Sequence, residues 1–190
     1  MKLILASQSE FRKDLLKRLD YPFEVQSSSV DEASVKKDNL SPVQICQLLG
    51  KLKAKNIFDR FPQAVVIGSD QVVSLGDTIF DKPKTAEKAC EQLSKLQGQT
   101  HYLHTSIAVY GPNFYQEALN SSQLFMRPLR SHEIENYVQK DKPFQCAGSY
   151  KLESFGIKLF KKIETSDYTS IIGLPLIQLQ DILLDYEEFL

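Results

Sequence analysis

The stretch Ala64-Val65-Val66-Ile67-Gly68-Ser69-Asp70-Gln71 decides the centre of the fold. Its opening run is fully apolar and rich in β-branched residues, which is typical of a strand buried on both faces. Val72 and Val73 continue the pattern up to a turn at Gly76-Asp77. We therefore predict a central strand that is interrupted at Gly68-Ser69-Asp70, with Asp70 at the edge where open α/β sheets place their ligands.

The segments on either side of this stretch predict further strands and helices. Lys2–Ala6 is a short apolar run, and Leu15, Leu16 and Leu19 behind it recur at helical spacing. Patterns of the same kind predict strands over 23–25, 100–110 and 114–127, and helices over 42–58, 85–96 and 131–139, with Thr85 and Ser131 as caps and a last helix from Pro175. The segments 27–39, which carries Asp31-Glu32, and 146–167 are expected to be loops and turns.

The composition favours one globular unit over residues 1–190 and excludes several classes of function. The 23 Lys and Arg nearly balance the 24 Asp and Glu, so no global positive field would hold a nucleic-acid polymer. The three cysteines fit neither a metal knuckle nor a disulfide framework. The apolar run near the N-terminus is too short for the apolar region of a signal peptide, and no apolar run has membrane length, so we expect a soluble cytoplasmic protein with no membrane partner.

The junction between the first strand and the first helix is a candidate phosphate site. Ser7-Gln8-Ser9-Glu10-Phe11-Arg12 places two hydroxyls, free backbone N–H groups and a guanidinium around a helix start. Such groups suit phosphate oxygens. The ordinary alternative is a serine N-cap, with Arg12 on a solvated face.

Other candidates have equally ordinary alternatives when each is taken alone. Asp70 could cap a turn, Asp31-Glu32 could be a polar loop pair, and Lys53 and Lys82 could be solvated lysines. Together they complement one another, because loop carboxylates can hold a hard divalent ion and take a proton from water. With the hydroxyls and cations for phosphate, the set predicts a phosphohydrolase.

The ordered motifs are Leu3-Ile4-Leu5-Ala6-Ser7-x-Ser9-x-x-Arg12, Asp31-Glu32, Gly68-Ser69-Asp70-Gln71, Lys82-Pro83 and Gly173-Leu174-Pro175-Leu176. They resemble those of the Maf family of nucleoside triphosphate pyrophosphatases nearly from end to end. The resemblance implies a mixed α/β fold with a central sheet, flanking helices and two lobes around a cleft, similar to inosine triphosphate pyrophosphatase. It also implies a divalent cation, Mg²⁺ or Mn²⁺, and often a homodimer.

The resemblance assigns roles to individual residues. Asp70 matches the proton acceptor, and Glu32 matches a second acidic residue near the metal, so both are expected beside the cation. The phosphate-contacting positions match Ser7, Ser9, Arg12, Lys53 and Lys82.

Three positions resemble the subgroup that hydrolyses 7-methyl-GTP. Gln71 follows the catalytic Asp, Glu153 ends Ala147-Gly148-Ser149-Tyr150-Lys151-Leu152-Glu153, and Phe11 precedes the Arg. A carboxylate and an aromatic face favour the positive charge that N7-methylation places on guanine. The ordinary alternative makes Phe11 a core aromatic and Glu153 a solvated or cation-paired loop residue.

The expected reaction is attack of an activated water on the α-phosphorus of 7-methyl-GTP, giving 7-methyl-GMP and diphosphate. Such an activity would keep modified nucleotides out of nucleic acids and is linked in this family to cell division arrest. The alternatives are a dTTP or UTP pyrophosphatase of the same family, and a nucleotide-binding regulator of cell division with secondary hydrolysis.

Overall fold

The computed structural model of the protein describes residues 2–35 and 39–186. Within them, seven strands form one sheet in the order β2-β1-β3-β5-β6-β7, and β4 pairs with β3. The strands are β1 (Leu3–Leu5), β2 (Phe23–Val25), β3 (Val65–Leu75), β4 (Thr78–Phe80), β5 (Thr100–Gly111), β6 (Phe114–Met126) and β7 (Phe160–Glu164).

The sheet is mixed. Strand β1 is parallel to both neighbours, with Leu3 opposite Phe23 on one side and Val65 on the other. Strands β4 and β7 run antiparallel to β3 and β6. The predicted fold class, a mixed central sheet with flanking helices, is confirmed.

Seven α-helices occur in the same described residues. They are α1 (Glu10–Leu16), α2 (Glu32–Val35), α3 (Pro42–Phe58), α4 (Ala86–Leu96), α5 (Ser131–Asp141), α6 (Tyr168–Ile172) and α7 (Leu176–Asp185). Short 3₁₀ turns cover Lys17–Leu19, Ala147–Ser149 and Phe155–Leu159. No helix in this part of the chain combines the length and hydropathy needed to cross a bilayer.

The chain divides into two compact units. Unit 1 comprises the described residues up to Gln71, Thr105–Asn120, and the described residues from Asp167 onward. Unit 2 comprises Val72–His104 and Ser121–Ser166. The prediction of a single domain over residues 1–190 stays a prediction.

Unit 1 buries its strands on both faces. Alternate residues of β1 and β3, such as Leu5 and Ile67, pack with leucines of α1 and α7. The residues between them, such as Ile4 and Val66, pack with Ala54 and Ile57 of α3. This double burial explains why β1 and the first residues of β3, Val65–Ile67, are uniformly apolar.

In unit 2, helix α4 packs on α5. Their buried faces carry Leu93 and Leu96 from α4 and Ile134 and Val138 from α5. The predicted boundaries of α3 and α4 are confirmed, and the Thr85 hydroxyl accepts from the Lys88 amide as the predicted cap.

Several local predictions are wrong. Strand β3 is continuous through Gly68, Ser69 and Asp70 instead of interrupted there. Glu32 does not lie in a loop but begins α2, because the Asp31 carboxylate accepts from the Ala33 and Ser34 amides as a helix cap.

The remaining differences are at short elements. Ser131 is the first residue of α5, and Arg130 is its N-cap. The segment predicted as turns, 146–167, contains β7, whose consecutive lysines Lys161 and Lys162 hide the alternation of a strand. Helix α6, capped by Asp167, has only five residues, too few for a helical period to be recognised.

Candidate active site

Asp70 forms a buried ion pair with Lys53. Its Oδ1 lies 2.6 Å from the Lys53 ammonium, and both side chains are only 10% exposed. Asp70 lies on β3 and Lys53 on α3. The pair requires the helix and the strand to approach each other closely.

Two glycines permit that approach. A Cβ at Gly68 would lie 2.4 Å from the Gly50 carbonyl oxygen and 2.5 Å from the Ala54 nitrogen, and a Cβ at Gly50 would lie 2.4 Å from the Ser106 hydroxyl. At position 68 no larger residue fits without moving α3, whereas at position 50 the Ser106 side chain or the helix would have to shift. Gly68 was predicted to interrupt the strand. Instead, its missing side chain allows α3 to pack closely against β3.

Glu32 binds the same ammonium. Its Oε1 lies 2.7 Å from the Lys53 nitrogen, while the Glu32 side chain remains 49% exposed. The structure therefore brings together the two carboxylates that the sequence analysis assigned to metal and proton transfer. It places Lys53, predicted to contact phosphate, between them.

Arg12 is held by a loop distant in sequence. Its Nε donates to the Gly173 carbonyl at 2.9 Å and its Nη1 donates to the Ser7 hydroxyl at 3.3 Å. Ser69 donates to the same Gly173 carbonyl at 3.2 Å. At a φ of 133°, Gly173 occupies backbone space that other residues rarely adopt.

The two serines have local roles at the start of α1. Ser9 is the N-cap, and its hydroxyl accepts from the Arg12 amide. The Ser7 hydroxyl, which is buried, accepts from the Ser9 amide at 3.2 Å. The ordinary capping alternative is thus confirmed for Ser9, and both hydroxyls lie around the arginine.

Burial lowers the pKa of the Arg12 guanidinium, and the charges of Asp70 and Glu32 oppose that effect. Arginine stays charged because its ordinary pKa is above 12. Burial raises the pKa of the neighbouring Cys46 thiol to about 12, and its Sγ donates to the Asp70 carbonyl at 3.4 Å. Cys46 is a packing group and not a nucleophile.

Gln71 and Phe11 differ sharply in their surroundings. The Gln71 amide nitrogen shares its hydrogens among the Ser170 carbonyl at 2.9 Å, the Ile171 carbonyl at 3.1 Å and the Thr105 hydroxyl at 3.2 Å. Phe11 is 40% exposed, so the alternative of a core aromatic is wrong.

Lys82 and Glu153 belong to unit 2. Both residues are exposed, and the charge of each shifts the pKa of the Cys146 thiol. Burial raises the pKa of Cys146 to about 11, Glu153 raises it further, and Lys82 lowers it. The two predicted substrate residues of unit 2 are therefore within electrostatic range of one side chain.

A family model described as Maf-like protein matches residues 2–186. The chain belongs to the Maf family. Two curated relatives carry the name 7-methyl-GTP pyrophosphatase. The one from Bdellovibrio bacteriovorus is 44% identical over 182 residues, covering 96% of this chain and 95% of the relative. The one from Aliivibrio fischeri is 40% identical over 184 residues, covering 96% and 94%.

A solved structure, that of the Staphylococcus aureus Ham1 protein, shares the fold. The TM-score is 0.54 at 13% identity, with 98% of this chain and 100% of that chain covered. At this identity the likeness concerns the fold alone.

Glu32 and Asp70 fit a divalent cation that takes only one or two ligands from the protein. No three His, Cys, Asp or Glu side chains gather at one point in residues 2–35 and 39–186, so an all-protein cage is absent there. Mg²⁺ commonly uses one or two carboxylates and completes its shell with water and substrate phosphates. Glu32 and Asp70, which already hold a cationic ammonium, match that donor set.

Sequence reasoning missed two groups that build the site. The Gly173 carbonyl accepts hydrogen bonds from Arg12 and Ser69. Gly50 allows α3 to pack closely enough for Lys53 to contact Asp70. Gly173 was visible in the Gly173-Leu174-Pro175 motif, but no pattern shows which side chains a distant carbonyl accepts from.

Proposed function

We propose that this Maf protein is a nucleoside triphosphate pyrophosphatase that hydrolyses 7-methyl-GTP to 7-methyl-GMP and diphosphate. The observation that carries the proposal is the Asp70–Lys53–Glu32 arrangement beside Arg12. Its support from the comparisons is the name that relatives about 40% identical share.

In the proposed reaction, Asp70 accepts a proton from the water that attacks the α-phosphorus. The bond between that phosphorus and the bridging oxygen breaks, and diphosphate leaves. The Lys53 ammonium, 2.6 Å from Oδ1, holds the carboxylate in place. A general base needs such fixed geometry before its basicity matters.

Cationic groups neutralise the triphosphate in this proposal. Arg12 uses two of the five N–H donors of a guanidinium on Gly173 and Ser7, which leaves donors for phosphate oxygens. Lys82 adds an exposed ammonium. Ser7 and Ser9 are proposed as hydroxyl contacts, and Lys53 can share a hydrogen with phosphate while it binds the carboxylates.

Glu153, Phe11 and Gln71 are proposed to select the base. Desolvation raises the pKa of Glu153, and the nearby Lys151 opposes this shift. An anionic Glu153 would favour a positively charged purine over a neutral one. For Phe11 the support is the exposure of its ring, since an aromatic face attracts a cation.

We propose Mg²⁺ or Mn²⁺ as the cofactor, held by Glu32 and Asp70. When bound, a divalent cation neutralises phosphate charge and lowers the pKa of water. Cytoplasmic location, homodimerisation and the exclusion of nucleic-acid polymers stay predictions.

Diphosphate release from 7-methyl-GTP, GTP, dTTP and UTP tests the proposal, each with Mg²⁺, Mn²⁺ or chelator. We expect 7-methyl-GTP to have the highest kcat/KM and chelator to abolish turnover. Glu153→Gln should lower the ratio of kcat/KM for 7-methyl-GTP to kcat/KM for GTP. Glu91→Gln, the same charge change on an exposed face of α4, should leave this ratio unchanged.

Preference for dTTP or UTP would support the related activity instead. Tight nucleotide binding with negligible release of diphosphate under every metal condition would support the regulator. Either result would overturn the proposed function.

A further inference from the structure

The loop that carries Glu153 is closed on itself. The Lys151 carbonyl accepts from the Ser154 amide at 3.2 Å and from the Gly156 amide at 2.9 Å. A Cβ at Gly156 would lie 2.3 Å from that carbonyl oxygen. Glu153 therefore lies in a tight turn whose shape depends on what holds Lys151 and Ser154.

Helix α5 holds both of these residues. The Lys151 amide donates to the Tyr137 hydroxyl at 2.9 Å, and the Lys151 ammonium donates to the Asp141 carbonyl at 2.7 Å. From the other side of Glu153, the Ser154 hydroxyl donates to the Asp141 carboxylate at 2.7 Å. Asp141 thus contacts the chain before and after Glu153.

Asp141 is placed where folding alone disfavours it. It is the last residue of α5 and only 7% exposed. A carboxylate at a helix C-terminus opposes the helix dipole, and burial penalises its charge. Departures from local rules of this kind concentrate at functional sites.

The charge of Asp141 also reaches the predicted substrate residues of unit 2. It raises the pKa of both Glu153 and Cys146. The charges of Lys151 and Asp141 both act on Glu153, while Glu153, Lys151, Asp141 and Lys82 all act on the Cys146 thiol. Asp141 therefore adds a second negative charge within electrostatic range of Glu153, and its effect on Glu153 is opposite to that of Lys151.

We infer that Asp141 is a specificity residue: its carboxylate positions the Glu153 loop through Ser154 and supplies a second negative charge that favours a cationic base. The inference rests on the proposed function, since it concerns the preference for 7-methyl-GTP over GTP. Asp141 is proposed to act on the base by its charge and through the position of Glu153, and to have no part in the chemistry at the phosphate.

Asp141→Asn tests the charge because it preserves the shape and the acceptor for Ser154. We expect the ratio of kcat/KM for 7-methyl-GTP to kcat/KM for GTP to fall about fivefold, the size of effect that one nearby charge has at an intermediate effective dielectric. The fall should come from a higher KM for 7-methyl-GTP, with the constants for GTP unchanged. Asp77→Asn, the same charge change in the exposed turn between β3 and β4, should leave the ratio unchanged.

Ser154→Ala tests the positioning part while keeping the charge of Asp141. Ser154→Ala should lower the ratio of kcat/KM for 7-methyl-GTP to kcat/KM for GTP by a smaller factor than Asp141→Asn does. If Asp141→Asn does not fold, the result for Ser154→Ala tests the inference on its own. A ratio that stays at the wild-type value in the folded variants, or an equal loss for both substrates, would overturn the inference. A wild-type ratio near one would contradict the proposed function, and the inference with it.

Discussion

Lys53 and Asp70 depend on each other at the scale of single residues. Both side chains are largely removed from water, so each charge needs the other to offset its desolvation. Removing one partner of such a buried pair costs about 3–5 kcal/mol because the remaining charge is uncompensated. Glu32, at 49% exposure, is more open to solvent than Asp70, which is compatible with the metal-ligand role proposed for it.

Asp70→Asn should reduce turnover of 7-methyl-GTP by about 10²–10⁴-fold, the usual contribution of a general base. Binding of the nucleotide should persist because the phosphate-contacting groups remain. Single-turnover diphosphate release and calorimetric titration measure the two properties separately. Asp20→Asn, an exposed site with φ 58° that asparagine also tolerates, is the control. Turnover at the wild-type rate in Asp70→Asn would show that Asp70 is not the base.

His101 should make the protein sensitive to acid. Burial lowers the pKa of its imidazole to about 4, against about 6.5 in the unfolded chain. Between these values the unfolded state binds a proton that the folded state does not, so the free energy of unfolding decreases as the pH falls from about 6.5 to about 4. The total loss is about 3 kcal/mol.

His101→Gln should remove about 2 kcal/mol of the difference in unfolding free energy between pH 7 and pH 4.5. Urea unfolding at the two pH values measures it. His132→Gln, an exposed histidine on α5, should retain the full difference. Equal pH dependence in the wild type and His101→Gln would mean that other groups cause the acid sensitivity.

At the scale of elements, the site depends on how closely α3 lies against β3. The Gly50 carbonyl and the Ala54 amide occupy the space where any side chain at position 68 would begin. The Ser106 hydroxyl donates to the Cys46 carbonyl at 2.6 Å and fastens α3 to β5 within unit 1. These contacts fix the distance between α3 and β3, and at that distance Lys53 contacts Asp70.

Gly68→Ala should push α3 outward and lower the free energy of unfolding by about 2 kcal/mol, within the range of overpacked cores. It should also reduce kcat, because the Lys53 contact lengthens. Urea unfolding and diphosphate release measure both effects. Gly76→Asn, in a turn with nothing within 4 Å of the new Cβ and with a φ of 58° that asparagine tolerates, should change neither. A fully stable, fully active Gly68→Ala would disprove the close-approach argument.

At the scale of the whole molecule, the chain passes repeatedly between its two units. Strands β3, β5 and β6 each contribute residues to both units. Neither unit is a continuous segment, so local unfolding of one would break strands that continue into the other. We expect the two units to unfold together.

The absence of tryptophan makes this expectation simple to measure. Phe114→Trp and Phe125→Trp place one fluorophore in each unit, both on β6 at partly buried positions. Their fluorescence should report the same urea midpoint, and far-ultraviolet circular dichroism should agree with it. Midpoints that differ between the two variants, each compared with its own circular dichroism curve, would show independent unfolding.

The sequence by itself determined the long strands and helices, because their apolar periods and caps are local properties. It also determined the family, because the motifs around Ser7, Asp70 and Lys82 occur in order. Helix α6 escaped prediction because it contains too few residues for a helical period, and β7 escaped because its consecutive lysines hide the alternation of a strand. The prediction for Gly68 was wrong because the sequence does not distinguish a glycine that interrupts a strand from one that allows a helix to pack closely on it.

Only the tertiary structure decided which charges meet. Lys53 binds Asp70 and Glu32, Arg12 binds the Gly173 carbonyl, and Asp141 holds the Glu153 loop. Each of these contacts joins residues from different elements, and its existence depends on packing depth and not on spacing along the chain. A charge pattern lists the available partners, whereas the approach of α3 to β3 selects among them.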